Sequence, residues 1–461
     1  MSGVSYRLGR FGDRRLDACA ADLHRSMVER GGVVLARLGG GRAGEVRFGR
    51  WLGNGRVTVE AIVEGWGEGA AAACAGRHVL AIQDTTELAF RDPGQRACLG
   101  PVGKGKARGL LAHVVLAADA DTGACLGPVA GRVWSRPDPA AGLAASGAPA
   151  GRESARWLEG ARDAARALAR AAAVTVVADR EGDVYEDLAW AAAGGAHLLV
   201  RACQDRRLDD GGRLFEAAGA WAEGRERRRV EVPVGPKAMR RRRAAEVEVR
   251  FGAVAVRRPK NLDGEAARAL PAAVELRLVE VREVGAPPAG ERPLAWRLLT
   301  THAVADEAAA WRVVDWYRRR WLVEQLFRAM QARGLRVEES QVASAEGLRR
   351  LVAVAVRAAA TVMMLVQARD GAAALPASAA FEPAEEAALG ALGSTLEGRT
   401  ARQRNPHPPG SLAWAGWIVA RLGGWDGYAS SRKPGPVTFA EGLVRFRAVA
   451  LGFALRDVCI P

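Results

Sequence analysis

In Val174-Thr175-Val176-Val177-Ala178-Asp179-Arg180-Glu181-Gly182-Asp183, a short apolar run stops at an acid and gives way to a charged, glycine-containing segment. Six residues are too few for a helix, and the β-branched side chains suit a buried strand. Helical patterning stands on both sides, over Glu153 to Ala173 and over Asp183 to Ala193, and His197-Leu-Leu-Val-Arg201 reads as a further strand. Helix, strand, helix and strand in succession predict a mixed α/β sheet. The acid at the end of such a strand stands at the sheet edge where α/β folds bind ligands.

Moving toward the N-terminus, His78-Val-Leu-Ala-Ile-Gln-Asp84 repeats the pattern: an apolar run ending in an acid. Leu110 to Ala118 and Leu126 to Trp134 are two more strand candidates. Residues 13 to 30 read as a helix, with Leu16, Ala20, Leu23 and Met27 on one stripe and Arg14, Arg15 and Arg25 off it. After Gly39-Gly40-Gly41, a small N-terminal helical module is expected to end near residue 70.

Toward the C-terminus the rhythm changes between about residues 225 and 292. Apolar and charged residues alternate in Arg229-Val-Glu-Val-Pro-Val, Ala245-Glu-Val-Glu-Val-Arg-Phe and Val274-Glu-Leu-Arg-Leu-Val-Glu-Val, as in strands with one wet face. This predicts an antiparallel β insertion with basic loops, notably Lys237 and Arg240 to Arg243. Helical periodicity returns at Asp306 and runs with breaks to about Arg369. The expected organisation is an N-terminal module over 1–70, a catalytic core over 71–369 and a helical module over 370–461.

Composition narrows the function. The 461 residues carry 67 Lys and Arg against 52 Asp and Glu, a net charge of +15, which favours a polyanionic partner such as nucleic acid. The alternative reading of the charge is a codon-biased chain, because Arg and Ala are plainly over-used. The six cysteines (19, 74, 98, 125, 203 and 459) form no C-x-x-C pair, against a zinc ribbon or a disulfide scaffold. The start, Met1-Ser-Gly-Val-Ser-Tyr-Arg-Leu8, has no apolar signal region. A protein of the reducing cytoplasm is expected. Leu351 to Val366 is apolar but carries Arg357 in its middle, and reads as a buried helix rather than a membrane span. No P-loop is present, and no Ser-His-Asp triad is indicated; His113, in a strand, reads as a core residue.

A third acid, Glu324, lies within a helical segment, Tyr317-Arg-Arg-Arg-Trp-Leu-Val-Glu324-Gln-Leu-Phe-Arg328. Taken singly, a strand-end Asp reads as a turn or cap, and a helical Glu among arginines as a surface ion pair. Two strand-end aspartates and a helical glutamate far apart in sequence can instead converge on two divalent metals. Carboxylates suit Mg²⁺ or Mn²⁺, and two such ions serve phosphodiester displacement.

These blocks give the chain a family resemblance. It resembles the bacterial insertion-sequence transposases of the DDE superfamily, in particular the cut-and-paste "insertion sequence four" group. Tyr317-x-x-Arg320-x-x-x-Glu324 is similar to that group's Tyr-Arg-Glu-Lys signature, Asp179-Arg180-Glu181 to the block around its second acid, and Asp84-Thr85-Thr86 to that around its first. Gly12-Asp13-Arg14-Arg15-Leu16 and Ala420-Arg421-Leu422-Gly423-Gly424-Trp425 are weaker echoes near the two ends. One position departs: where the signature has a Lys seven residues after the Glu, this chain has Gln331, with Arg328 and Arg333 nearby.

The resemblance implies an RNase H-like α/β core with the β insertion between the second Asp and the Glu324 helix. It implies Asp84, Asp179 and Glu324 as catalytic, metal-binding acids for two Mg²⁺ or Mn²⁺ ions. Among DNA contacts it implies phosphate binding by Arg320 and Tyr317, a role near the DNA end for Arg201, stacking of a flipped base on Trp296, and Trp321 in the space that base vacates. Arg328 is the candidate replacement for the missing lysine; Arg180 and Asp183 would brace the site. The activity implied is cleavage of transposon ends, through a hairpin, and joining to target DNA by a homodimer assembled through the C-terminal module. Two other readings share these features: a non-catalytic DNA-binding relative, suggested by Gln331, and an RNase H-like nuclease without strand transfer.

Overall fold

The structure is a computed structural model. It describes residues 8–90, 99–103, 107–138, 147–148, 152–232, 243–260, 262, 268–331, 334–369, 371, 374–428, 431 and 433–456. Four helices come first: α1 (Arg14–Arg30), α2 (Leu35–Leu38), α3 (Arg42–Leu52) and α4 (Val59–Cys74). The Asp13 carboxylate caps α1 by accepting from the Arg15 N–H, and Gly31 ends it in the left-handed region at φ 61°.

The sheet follows: β1 (His78–Ala89), β2 (Gly100–Pro101), β3 (Arg108–Asp119), β4 (Cys125–Trp134), then α5 (Ala155–Ala167), β5 (Ala173–Ala178), α6 (Tyr185–Ala192), β6 (His197–Arg201) and the short α7 (Leu214–Ala217). Four strands complete it: β7 (Arg228–Val232), β8 (Arg243–Arg257), β9 (Ala273–Glu283) and β10 (Ala295–Thr300). The strand order is β2-β3-β1-β5-β6-β10-β9-β8-β7, with β4 also paired to β3. β1 runs antiparallel to β3 and parallel to β5, and β5 runs parallel to β6. A β4-β3-β1-β5-β6 core of this kind, served by helices, is consistent with an RNase H-like domain. The alternating strands of the expected insertion do not form a sheet of their own. Through β10, which pairs with β6, they extend the main one.

β3 is buried from Gly109 to Asp119 without alternation, so both its faces are covered. The helix expected over Glu153 to Ala173 stops at Ala167, and β5 begins at Ala173. More consequentially, β1 does not stop at Asp84 but continues to Ala89. The apolar run ends there because β5 ends at Ala178, while β1 goes on against β3.

The remaining helices are α8 (Glu307–Arg318), α9 (Trp321–Met330), α10 (Ala345–Ala368), α11 (Pro383–Leu396), α12 (Leu412–Leu422) and α13 (Pro436–Arg456). α10 is long and apolar enough to cross a membrane by length and composition, yet 83% of its most apolar window is buried within the protein. It packs against α1, α4, α9, α12, α13 and β4, so that helices from both ends of the chain share one apolar core with the sheet. Two of its buried arginines have backbone partners: Arg349 Nε donates to Val133 O at 2.8 Å and Arg350 Nη1 to Leu52 O at 2.5 Å.

Candidate functional site

The β1–β5 register places the first two acids. Ile82 pairs with Val177, the last pair of that ladder. Two residues further on stand Asp84 and Asp179, level with each other on neighbouring chain segments and, two steps along each, on the same face as Ile82 and Val177. Asp179 caps the 3₁₀ turn Arg180–Gly182, its carboxylate accepting from the Glu181 N–H at 2.8 Å. Gly182 is required in that turn, because a Cβ there would stand 2.5 Å from the Ala178 Cβ and 3.2 Å from Trp157.

Burial is the largest cause pushing the Asp84 carboxyl up to about 6; the Asp179 charge adds to it, and Glu324 does so more weakly. The Arg320 guanidinium and the Thr85 N–H, which donates to Asp84 Oδ1 at 2.8 Å, pull the other way. Like charge crowded on a half-buried sheet edge has this effect.

The Tyr317–Glu324 segment bends between α8 and α9, and α9 packs on β1 and β3. Arg320, at the N-cap of α9, bridges two acids: Nη1 donates to Asp84 Oδ2 at 2.9 Å and Nη2 to Glu324 Oε1 at 2.5 Å. The tie joins the first and third acids across the fold. The two arginines before it turn elsewhere: Arg319 donates to Asp121 O at 2.7 Å, and Arg318 pairs with Asp315 at 3.6 Å.

Around this centre lie the other residues singled out in the sequence. Tyr317 is buried, and its hydroxyl is hydrogen-bonded to Arg201, which also donates to Ala295 O at 3.2 Å. Burial raises the tyrosine and lowers the arginine from their ordinary values. Trp296, partly buried on β10, has its ring centroid 6.0 Å from that of Tyr317. Trp321 is not a core residue: it is 42% exposed, with the Arg328 guanidinium 4.4 Å over its ring. Arg328 also approaches Glu324 at 4.0 Å. Asp183 braces, as expected; its buried carboxylate accepts from the N–H groups of Cys203 and Gln204 and from Arg206.

Gln331 has a local role in place of the missing lysine. Beyond Asp84 the β5 side of β1 has lost its strand partner, and the end of α9 supplies other ones: Gln331 Nε2 donates to Glu87 O at 3.3 Å, and Glu338 accepts from the Ala89 N–H at 3.2 Å. Arg333 and the loop residues Lys237 and Arg240 to Arg242 lie outside the described residues. Arg243 is ion-paired with Glu283 and Glu291.

Sequence reasoning missed Arg156. From α5 its Nε donates to Thr85 Oγ1 at 2.9 Å and its Nη2 to Glu181 Oε2 at 2.8 Å, tying the Asp84 block to the Asp179 block. Gln83 Oε1 can only accept, so His113 Nε2 donates to it at 3.1 Å, and in the neutral ring Nδ1 then accepts the Thr85 hydroxyl proton at 2.9 Å. Burial and the charges of Arg156 and Arg132 push His113 down to about 3, so it is neutral. α5 comes this close because residue 160 is glycine; a Cβ there would stand 2.9 Å from Gln83 Oε1. The only sequence signal was an arginine beside Trp157 on the helix preceding β5, which reads equally as a surface charge.

Three carboxylates are oxygen donors of the kind that Mg²⁺ and Mn²⁺ take. Among the described residues, no group of three or more His, Cys, Asp or Glu side chains is arranged to hold a metal ion, and a guanidinium stands between two of the three acids. Asp179 and Glu324 both fall within residues 158–360, which match the family model for a transposase DDE domain; Asp84 precedes the matched segment. The match likens this segment to the DDE domain of transposases, a family of enzymes that act on DNA and generally use divalent metal ions.

Proposed function

We propose that the protein is a cut-and-paste DNA transposase of the insertion-sequence-four type, with Asp84, Asp179 and Glu324 as its catalytic acids. The observation that carries this reading is the Arg320 bridge, which gathers Asp84 from β1 and Glu324 from α9 beside the strand-level Asp179. Three carboxylates are the donor type a pair of Mg²⁺ or Mn²⁺ ions would take, and Asp84, raised chiefly by burial and next by the Asp179 charge, would be relieved by a nearby cation. Bound there, the metals would supply an activated water or 3′-hydroxyl and stabilise the leaving 3′ oxygen.

The chain's own groups perform the rest. Arg320, Arg201 and Arg328 offer guanidinium forks to the phosphates flanking the scissile bond, and Tyr317 orients Arg201 through its hydroxyl. Trp296 supplies a ring for an extruded base, and Trp321, exposed beside Glu324, lies at the opening that base leaves. Cleavage of each transposon end through a hairpin, followed by joining to target DNA on the nucleoid, is the reaction assigned, with a homodimer holding two ends. The exposed Val437, Val444 and Leu451 on α13, seven residues apart, support the C-terminal module as the dimer contact.

The test uses duplex DNA bearing the inverted repeats that flank the reading frame. Asp84→Ala, Asp179→Ala and Glu324→Ala should each abolish Mg²⁺-dependent cleavage and joining while end binding survives. A variant that cuts at the wild-type rate removes that residue from the site; cleavage without a joined product supports a plain nuclease instead.

A further inference from the structure

We propose that Arg320 is a built-in counter-ion that closes the acid site: in the free protein it occupies carboxylate oxygens that a divalent metal needs, and a DNA phosphate draws it away. The inference rests on the three-acid reading above. Its basis is the way the guanidinium divides its donors, Nη1 to Asp84 Oδ2 at 2.9 Å and Nη2 to Glu324 Oε1 at 2.5 Å, rather than forking onto one partner. The three side chains are only 16%, 18% and 27% exposed, so the contacts are poorly screened by water. Arg320 is also anchored one helical turn from Glu324, at the N-cap of α9, and cannot drift from the site when it lets go.

A guanidinium and a metal ion cannot share those oxygens, so each lowers the affinity of the site for the other. A phosphate competes for the same guanidinium and can take both its forked donors, where each carboxylate here takes one. Phosphate and metal therefore bind with positive coupling, and by linkage the coupling is reciprocal. Functionally, the device withholds metal, and hence hydrolysis, until DNA is in place.

The experiment measures Mn²⁺ binding by calorimetry on the full chain, with and without a mixed-sequence DNA duplex. Arg320→Gln should bind Mn²⁺ about tenfold more tightly than wild type in the absence of DNA, within the usual range of coupling between linked sites. Arg320→Lys, which keeps the charge on a single-point donor, should fall between them. The duplex should tighten binding by the wild type and leave Arg320→Gln unchanged. Adding Asp84→Asn to Arg320→Gln should erase the gain. Equal or weaker Mn²⁺ affinity in a folded Arg320→Gln overturns the counter-ion role and leaves the acid site standing. A gain that survives Asp84→Asn, or a duplex effect equal in both proteins, also overturns it. Failure of both proteins to bind Mn²⁺ at millimolar concentration overturns the acid site itself.

Discussion

Asp183→Ala tests whether the turn carrying Asp179 is held from below. The Asp183 side chain is fully buried and that of Arg206 is 4% exposed. Asp183 Oδ1 takes Arg206 Nε at 3.0 Å and Nη2 at 2.7 Å, while Oδ2 takes the N–H groups of Cys203 at 2.9 Å and Gln204 at 3.1 Å. Alanine leaves a buried guanidinium whose remaining link to this residue is the Asp183 carbonyl, and strands two backbone donors. Removing one partner of a buried pair costs ~3–5 kcal/mol, and each stranded donor ~1–3 kcal/mol. The terms overlap, so a loss of about 4 kcal/mol is expected. Asp183→Asn keeps an acceptor for the two N–H groups and should lose about half as much. Urea unfolding provides the assay, with Arg206→Met and the double variant completing a thermodynamic cycle. The double variant should recover much of the loss, because the unpaired charge is gone. A loss below about 1 kcal/mol in Asp183→Ala, or strictly additive single losses, would refute the reasoning.

Other perturbations have equally definite outcomes. His113 is buried and neutral in the fold, at about 3 against an ordinary 6.5, so its contribution to stability is complete above pH 6.5 and lost as pH falls toward 3. At pH 5 the loss is about 2 kcal/mol, and unfolding at pH 5 and 7.5 should show a smaller pH effect in His113→Gln; an unchanged difference would remove His113 as its source. Gln331→Lys should change end binding little, since Arg328 already places charge beside Glu324, whereas Arg328→Ala should weaken binding and lower the salt slope by about 1. A large gain from the lysine, with no loss from Arg328→Ala, would reverse that assignment. Trp296→Ala should impair hairpin formation more than first-strand nicking, and equal losses would make it a packing residue.

The fold was legible wherever one local signal dominated. His197–Arg201 came out as a strand with its bounds intact, and of the stripe read on α1, Ala20, Leu23 and Met27 are buried and Leu16 is partly buried against the same core. Boundaries set by tertiary partners were not legible. The end of β1 could not be read, because β1 is continued by pairing with β3 and the apolar run records only where β5 stops. For the same reason the alternating strands looked like a separate insertion; their union with the core is a single register between β10 and β6, which no periodicity encodes. At the site, motif spacing pointed to three acids and to Arg320 but not to what Arg320 touches, since a helical i,i+4 pair with Glu324 says nothing of Asp84 more than two hundred residues away. Arg156 was invisible for the converse reason: it acts through Thr85 and Glu181, which belong to two different blocks.

The early end of β5 explains why the candidate site lies where it does. A strand that ended with its neighbour would present Asp84 as a mobile terminus. Here β1 is held on one side by β3 through Ala89, while the other side is open from Asp84 onward. An open strand edge must find hydrogen-bond partners, and the end of α9 and the turn after it provide them through Gln331 on Glu87 O and Glu338 on the Ala89 N–H. Docking α9 along that edge sets Glu324, on its first turn, beside Asp84 with Arg320 between them. The backbone accounting that seats the helix is therefore also what assembles the acids. A lysine at residue 331 would spend its charge on the edge or leave the edge short of a donor; glutamine serves the edge, and Arg328 on the preceding turn keeps a charge beside Glu324.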